Sequence, residues 1–152
     1  MSQSLSKLYV HIVFHIKGNT TLIREKDSTQ LYSYIAGVLK GQNSLPIQIN
    51  GTDNHIHILC VMSKNIALAT LVQQIKSSSS GWIKTLDEYY KDFAWQKGYA
   101  GFSVSPSVHD KTVQYILNQQ QHHKKISFRD ELLIFFKEYQ VEYDERYLWR
   151  DD

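Results

Sequence analysis

His55 and His57 stand one residue apart in the run Asp53-Asn54-His55-Ile56-His57-Ile58-Leu59-Cys60-Val61. In an extended chain alternate side chains share a face, so both imidazoles project from one side of a strand. Ile56 and Ile58 then point the other way, toward a core. A strand anchored like this presents two imidazoles rigidly, as a metal site or a phosphate-binding site requires.

A second set lies sixty residues on. Tyr115 and Gln119 are four apart, one turn of a helix, and His122 falls on nearly the same face. Taken alone, Tyr115 is equally well read as a core or rim aromatic. Taken with the histidines, the set has a chemistry. Two imidazoles and one amide oxygen can hold a divalent cation with positions left open. A tyrosine one turn from the third ligand would lie beside that cation, and its phenolic oxygen could attack a bound phosphodiester. The product, a phosphotyrosine, is again a phosphodiester, so a later 3′-hydroxyl can reverse the step. That chemistry suits strand transfer better than hydrolysis.

Strands and helices must bring these residues together. Leu8 to Ile16 reads as a strand, with Val10, Ile12, Phe14 and Ile16 on one face and His11, Val13 and His15 on the other. Helical spacing of Leu31, Tyr34, Ile35, Val38 and Leu39 predicts a helix over Ser28 to Lys40, ending near Gly41. Strands over Leu45 to Ile49 and His55 to Met62, joined by Asn50-Gly51-Thr52-Asp53, form a hairpin with the histidines near its turn. A second helix starts with Asn65 as N-cap and carries Leu68, Leu71, Val72 and Ile75. It continues through Ser77 to Ser80, because Trp82, Ile83 and Leu86 keep the register. Its serines are read as a solvated face, with close approach of a phosphate backbone as the lesser alternative.

Phe93 to Val104 holds one or two short strands. Ser105-Pro106 opens a helix running to about His123. Ser127-Phe128-Arg129-Asp130 caps a last helix through Leu132, Leu133, Phe135 and Phe136. The aromatic tail Glu142 to Trp149 is expected to pack down. The order predicts an α+β fold, an antiparallel sheet with helices on one side.

With 152 residues, 42% hydrophobic and 21% charged, the chain fits a single domain over 1–152. It has no signal-like N-terminus or membrane-length apolar run, so a cytoplasmic location is expected. The lone Cys60 excludes an internal disulfide and a cysteine-based zinc knuckle, and its neighbours make it a buried core thiol. A net charge of +2 does not by itself argue for a nucleic-acid partner. The ten tyrosines, six phenylalanines and three tryptophans are more suggestive, although most should fill the core.

The chain resembles the single-tyrosine HUH transposases of bacterial insertion sequences, the IS200-like family, including relatives associated with repetitive extragenic palindromes. The matching stretches are His11-Ile12-Val13-Phe14, Asn54-His55-Ile56-His57-Ile58-Leu59 and Trp95-Gln96-Lys97-Gly98-Tyr99. They continue with Phe102-Ser103-Val104-Ser105, Tyr115-Ile116-Leu117-Asn118-Gln119, His122-His123 and Glu142 to Trp149. The resemblance implies a ferredoxin-like, RRM-like sheet, with His55, His57 and Gln119 as metal ligands and Tyr115 as nucleophile. It implies Mg²⁺ or Mn²⁺, single-stranded DNA with a hairpin at the element ends, and a 5′-phosphotyrosine intermediate. It also implies a homodimer whose tyrosine helix acts in trans, which a flexible Gly98 to Ser107 segment would allow. Imidazole ligands suit Zn²⁺, Mn²⁺ or Co²⁺ better than Mg²⁺, and three protein ligands argue against a tightly held structural Zn²⁺.

Among the basic residues Lys17, Lys76 and Lys97 are candidates for DNA phosphate contacts. His11 is expected to make a structural hydrogen bond. His122 and His123 are read as a solvent-facing helix end, with metal ligation as the lesser alternative. Two rival functions remain: a non-catalytic single-stranded DNA or hairpin-binding module of the same fold, and a metal-dependent hydrolase with water as nucleophile.

Overall fold

The structure is a computed structural model; it describes residues 2–18 and 21–148. Four strands, β1 (Leu8–His15), β2 (Leu45–Gly51), β3 (His55–Met62) and β4 (Ala100–Val104), form one antiparallel sheet in the order β2-β3-β1-β4. Helices α1 (Glu25–Gly41) and α2 (Leu68–Ile83) complete a βαββαβ, ferredoxin-like frame. Helices α3 (His109–Leu117), α4 (Gln119–His122), α5 (Phe128–Glu138) and α6 (Glu145–Leu148) follow. No helix among the described residues is long and apolar enough to cross a membrane.

Period-2 alternation divides the sheet as expected. Val10, Ile12, Phe14 and Ile16 of the first strand segment join Ile56, Ile58 and Cys60 of β3 in a core with α1 and α2. The opposite face carries His11, Val13 and His57. There Val13 and Phe102 pack on Leu132 and Phe136 of α5, while Leu59 and Val104 pack on Ile116 of α3. Helices therefore cover both faces, not one. The second layer is built by the segment after β4, whose apolar stripes need the histidine face to bury them.

Other boundaries also move. Helix α1 starts at Glu25, three residues early, because Arg24 and Asp27 tie its first turn to Tyr90 and Asp87. The N-cap of α2 is Ala67 rather than Asn65. Helix α2 does run through the serines, and Ser79 is fully buried: its hydroxyl donates to the Ile75 carbonyl and accepts from the Trp95 indole. That serine is neither a solvated face nor a phosphate approach. The predicted single helix to His123 is broken at Asn118. In the tail, Tyr143 touches the Phe136 ring at 5.1 Å, yet residues 141–146 are exposed. The tail's Trp149 lies outside the described residues.

Candidate metal and nucleophile site

The hairpin turn builds the first half. Strand β2 runs through Gly51, where a Cβ would meet the His55 carbonyl oxygen at 2.2 Å, so only glycine lets the turn close this tightly. The Thr52 hydroxyl donates to Asn54 Oδ1 at 3.0 Å, which leaves both oxygens as acceptors. His55 Nδ1 lies 2.7 Å from Asn54 Oδ1 and 2.8 Å from Thr52 Oγ1, so Nδ1 carries the ring proton on this assignment. His55 Nε2 then presents a lone pair inward. His57 is oriented from behind in the same manner, with Nδ1 2.7 Å from His11 Nε2. His11 thus has the hydrogen-bonding role expected of it, as an orienting group for His57.

The α3–α4 break brings in the second half. Asn50, paired with His57 across β2 and β3, donates through its amide to the carbonyls of Ile116 and Leu117 at 2.9 and 3.1 Å. Gln120 answers by donating to Asn50 Oδ1 and the Gly51 carbonyl, both at 2.8 Å. This clasp fixes the end of α3 against the strand beside His57. Gln119 is buried completely, with Oε1 3.1 Å from His55 Nε2 and Nε2 donating to Glu131 at 3.0 Å.

Glu131, on α5, is the residue sequence reasoning missed. It is 2% exposed and stands at the centre of the site. Its Oε1 lies 3.0 Å from His57 Nε2, 3.1 Å from His123 Nε2 and 3.6 Å from His55 Nε2. Its Oε2 accepts the Tyr115 hydroxyl and lies 3.3 Å from His122 Nε2. The faint signal was its place after the Ser127 cap, whose hydroxyl accepts from the Asp130 amide at 3.1 Å. Burial alone would raise the Glu131 carboxyl, but the close imidazoles of His123 and His57 hold it far below the usual range. Burial first, and the adjacent imidazoles second, hold His55 and His11 well below the ordinary histidine value. Burial also lowers His57, against the pull of Glu131. Burial, then the Glu131 charge, pushes the Tyr115 phenol far up.

The predicted residues His55, His57, Gln119 and Tyr115 therefore converge within a single chain. His123 belongs with them: it is not a solvent-facing helix end, its ring lies 4.4 Å from His55, and its Nε2 is buried without a well-directed hydrogen bond. Donor atoms of His55, His57, His123 and Glu131 all lie within 4.8 Å of one another. Inward lone pairs, a carboxylate and an orphaned imidazole nitrogen fit a divalent cation. With His123 and Glu131 added, the argument against Zn²⁺ from a shortage of protein ligands loses its premise.

The lysines divide. Lys76 sits on the other face of the sheet over the Phe14 ring, donating to the carbonyls of Gln96, Lys97 and Gly98 at 2.6, 3.2 and 2.6 Å. Its ammonium clasps that loop and is not offered to a phosphate. Lys97 is an exposed member of the same loop. Lys17 is exposed just beyond the end of β1, where His15 pairs with His55.

Fold and site together define a ferredoxin-like protein with a histidine–carboxylate centre facing a tyrosine. The family model described as "Transposase IS200 like" matches residues 4–119, and the chain belongs to that family. Among solved structures, one chain from Deinococcus radiodurans, described only provisionally as a transposase, is similar with a TM-score of 0.60 at 16% identity. The match covers 78% of this chain and 98% of that one. A REP-associated tyrosine transposase, solved bound to a REP hairpin, gives a TM-score of 0.58 at 14% identity, covering 83% of this chain and 76% of the other. No curated protein matches the sequence.

Proposed function

We propose that this transposase-family protein cleaves and rejoins single-stranded DNA at insertion-sequence ends through a 5′-phosphotyrosine on Tyr115. The observation that carries the reading is Glu131, whose two oxygens join the histidine cluster to the Tyr115 hydroxyl. His55, His57, His123 and Glu131 would hold a divalent cation, with Gln119 Oε1 beside His55 Nε2 as a further oxygen donor. Such a cation, Mn²⁺ or Mg²⁺, would withdraw charge from a non-bridging phosphate oxygen as the pentacovalent transition state forms. Three imidazoles favour Mn²⁺ of the two.

Burial and the Glu131 charge hold the Tyr115 phenol protonated in the metal-free protein. Its proton must leave as the bond to phosphorus forms, and Glu131 Oε2 is placed to take it. His11, Asn54 and Thr52 keep the ring nitrogens of His57 and His55 aimed inward throughout. The DNA partner rests on family membership and on the hairpin-bound relative. A homodimer with the tyrosine helix in trans would require α3 and α4 to leave the Asn50 clasp, so the geometry favours a site assembled in cis.

The test is a denaturing gel after mixing the protein, Mn²⁺ and labelled single strands from either flank of its own gene. A label shifted to protein-plus-DNA size, lost in Tyr115→Phe and His57→Ala, is the expected result. Retained covalent attachment in Tyr115→Phe would sink the nucleophile assignment. Tight hairpin binding with no adduct in any variant would favour a binding module.

A further inference from the structure

Tyr115 opens onto a cavity of about 370 Å³ walled by residues 108–115 and by α5. Val108, Ile134, Phe135 and Tyr139 give it apolar and aromatic sides. Two carboxylates line it, Glu131 and Glu138, and among the described residues one lysine and no arginine, Lys111. Lys111 is exposed, and no carboxylate among the described residues pairs with it. It stands four residues before Tyr115 on α3. Helical side chains lean toward the N-terminus, so the phenol lies over the turn that carries Lys111. Thr112 on the same turn offers no donor, because its hydroxyl proton is committed to the Val108 carbonyl at 2.9 Å.

A phosphodiester entering this cavity brings its negative charge toward two carboxylates. In the transition state that charge spreads over the non-bridging oxygens. Beside apolar walls a fixed cation acts in a lower dielectric than water, so it stabilises such charge more strongly there. Resting on the reading of Tyr115 as nucleophile, we propose that Lys111 is a further catalytic residue, whose ammonium holds a non-bridging oxygen of the scissile phosphate. The Tyr115 oxygen–phosphorus bond forms as the phosphorus–O3′ bond breaks. The phenolic proton passes to Glu131, and the 3′-oxygen takes a proton from water. Lys111 stays an ammonium throughout and offsets the repulsion between the phosphate and the two carboxylates.

The experiment uses the full chain with Mn²⁺ and a labelled strand from the flank of its own gene, in single turnovers at rising DNA concentration. Lys111→Gln is expected to lower the rate of adduct formation at saturating DNA by at least about tenfold, the low side of losing one donor to a transition-state oxyanion. The half-saturating DNA concentration should rise by less than about threefold, since one phosphate contact of several is lost. Mn²⁺ affinity by titration calorimetry should match wild type. Lys111→Arg should recover most of the rate, because it restores the positive charge. A Lys111→Gln rate at saturation equal to wild type overturns the assignment. So does a loss confined to the half-saturating concentration, which would place the lysine on a flanking phosphate. A fall in Mn²⁺ affinity, or a Lys111→Arg protein as slow as Lys111→Gln, overturns it as well. Absence of any Tyr115-dependent adduct in the wild type instead removes the nucleophile reading, and this one with it.

Discussion

Glu131 divides its labour between two oxygens. Oε1 faces three imidazoles and Oε2 faces the phenol, so one side chain connects cation binding with proton removal. Glu131→Gln keeps the shape and removes the charge. It should weaken Mn²⁺ binding at least about tenfold by titration calorimetry; unchanged affinity would leave His55, His57 and Gln119 as the working ligand set. The buried imidazoles also set an acid limit. His11 and His55 have folded pKa values well below the unfolded one, about 6.5, so the unfolded chain binds more protons once the pH falls below that value. Stability of the metal-free protein should therefore fall between pH 7 and 5, measured as Tm in chelator. Glu131, depressed in the fold, adds its own loss only at pH below about 4.3. A flat Tm over pH 7 to 5 would mean that these imidazoles titrate in the fold as they do in the unfolded chain. His55, His57, Tyr115 and Gln119 were legible in the sequence because strand and helix periods place them. Glu131 was not: beside Ser127 and Asp130 it reads as an acidic first-turn residue, and its burial depends on α5 docking against His57, 74 residues earlier in the chain.

Helix α3 ends where Asn50 captures its carbonyls, and nothing in residues 106–123 announces that break after Pro106. No glycine or second proline marks Asn118; the partner that stops the helix lies in another strand. Asn50 reads as turn chemistry in the sequence, which hid its role as a positioning residue. Asn50→Ala should cost about 1–3 kcal/mol in denaturant unfolding, since it leaves the Gln120 amide and two carbonyls short of partners. It should also slow adduct formation while hairpin affinity holds; equal loss of both would mean a purely structural role. The serine run in α2 gives a parallel case. Its helical register was legible from Trp82 and Ile83, but the burial of Ser79 was not, because Trp95 supplies the reason from a distant loop. Ser79→Ala strands that indole N–H and should destabilise the fold by about 1–3 kcal/mol. A neutral result would show that another acceptor replaces the hydroxyl.

The whole molecule is a sheet with a structural side and a chemical side. The alternation that sends Ile56 and Ile58 into the α1–α2 core sends His55 and His57 to the face covered by α3, α4 and α5. The expected α+β sheet was legible from this alternation alone. The second helical layer was not, because short amphipathic stretches do not declare which face will receive them. Assembly within one chain has a direct test. Mixing Tyr115→Phe with His57→Ala protein should restore no cleavage on a denaturing gel, whereas sites shared between subunits would recover part of it. The same alternation places Cys60 opposite His57, fully buried, with burial pushing its thiol up to about 12. A maleimide should therefore pass it by. The native cysteine can stay in place when a single surface cysteine is introduced to carry a dye.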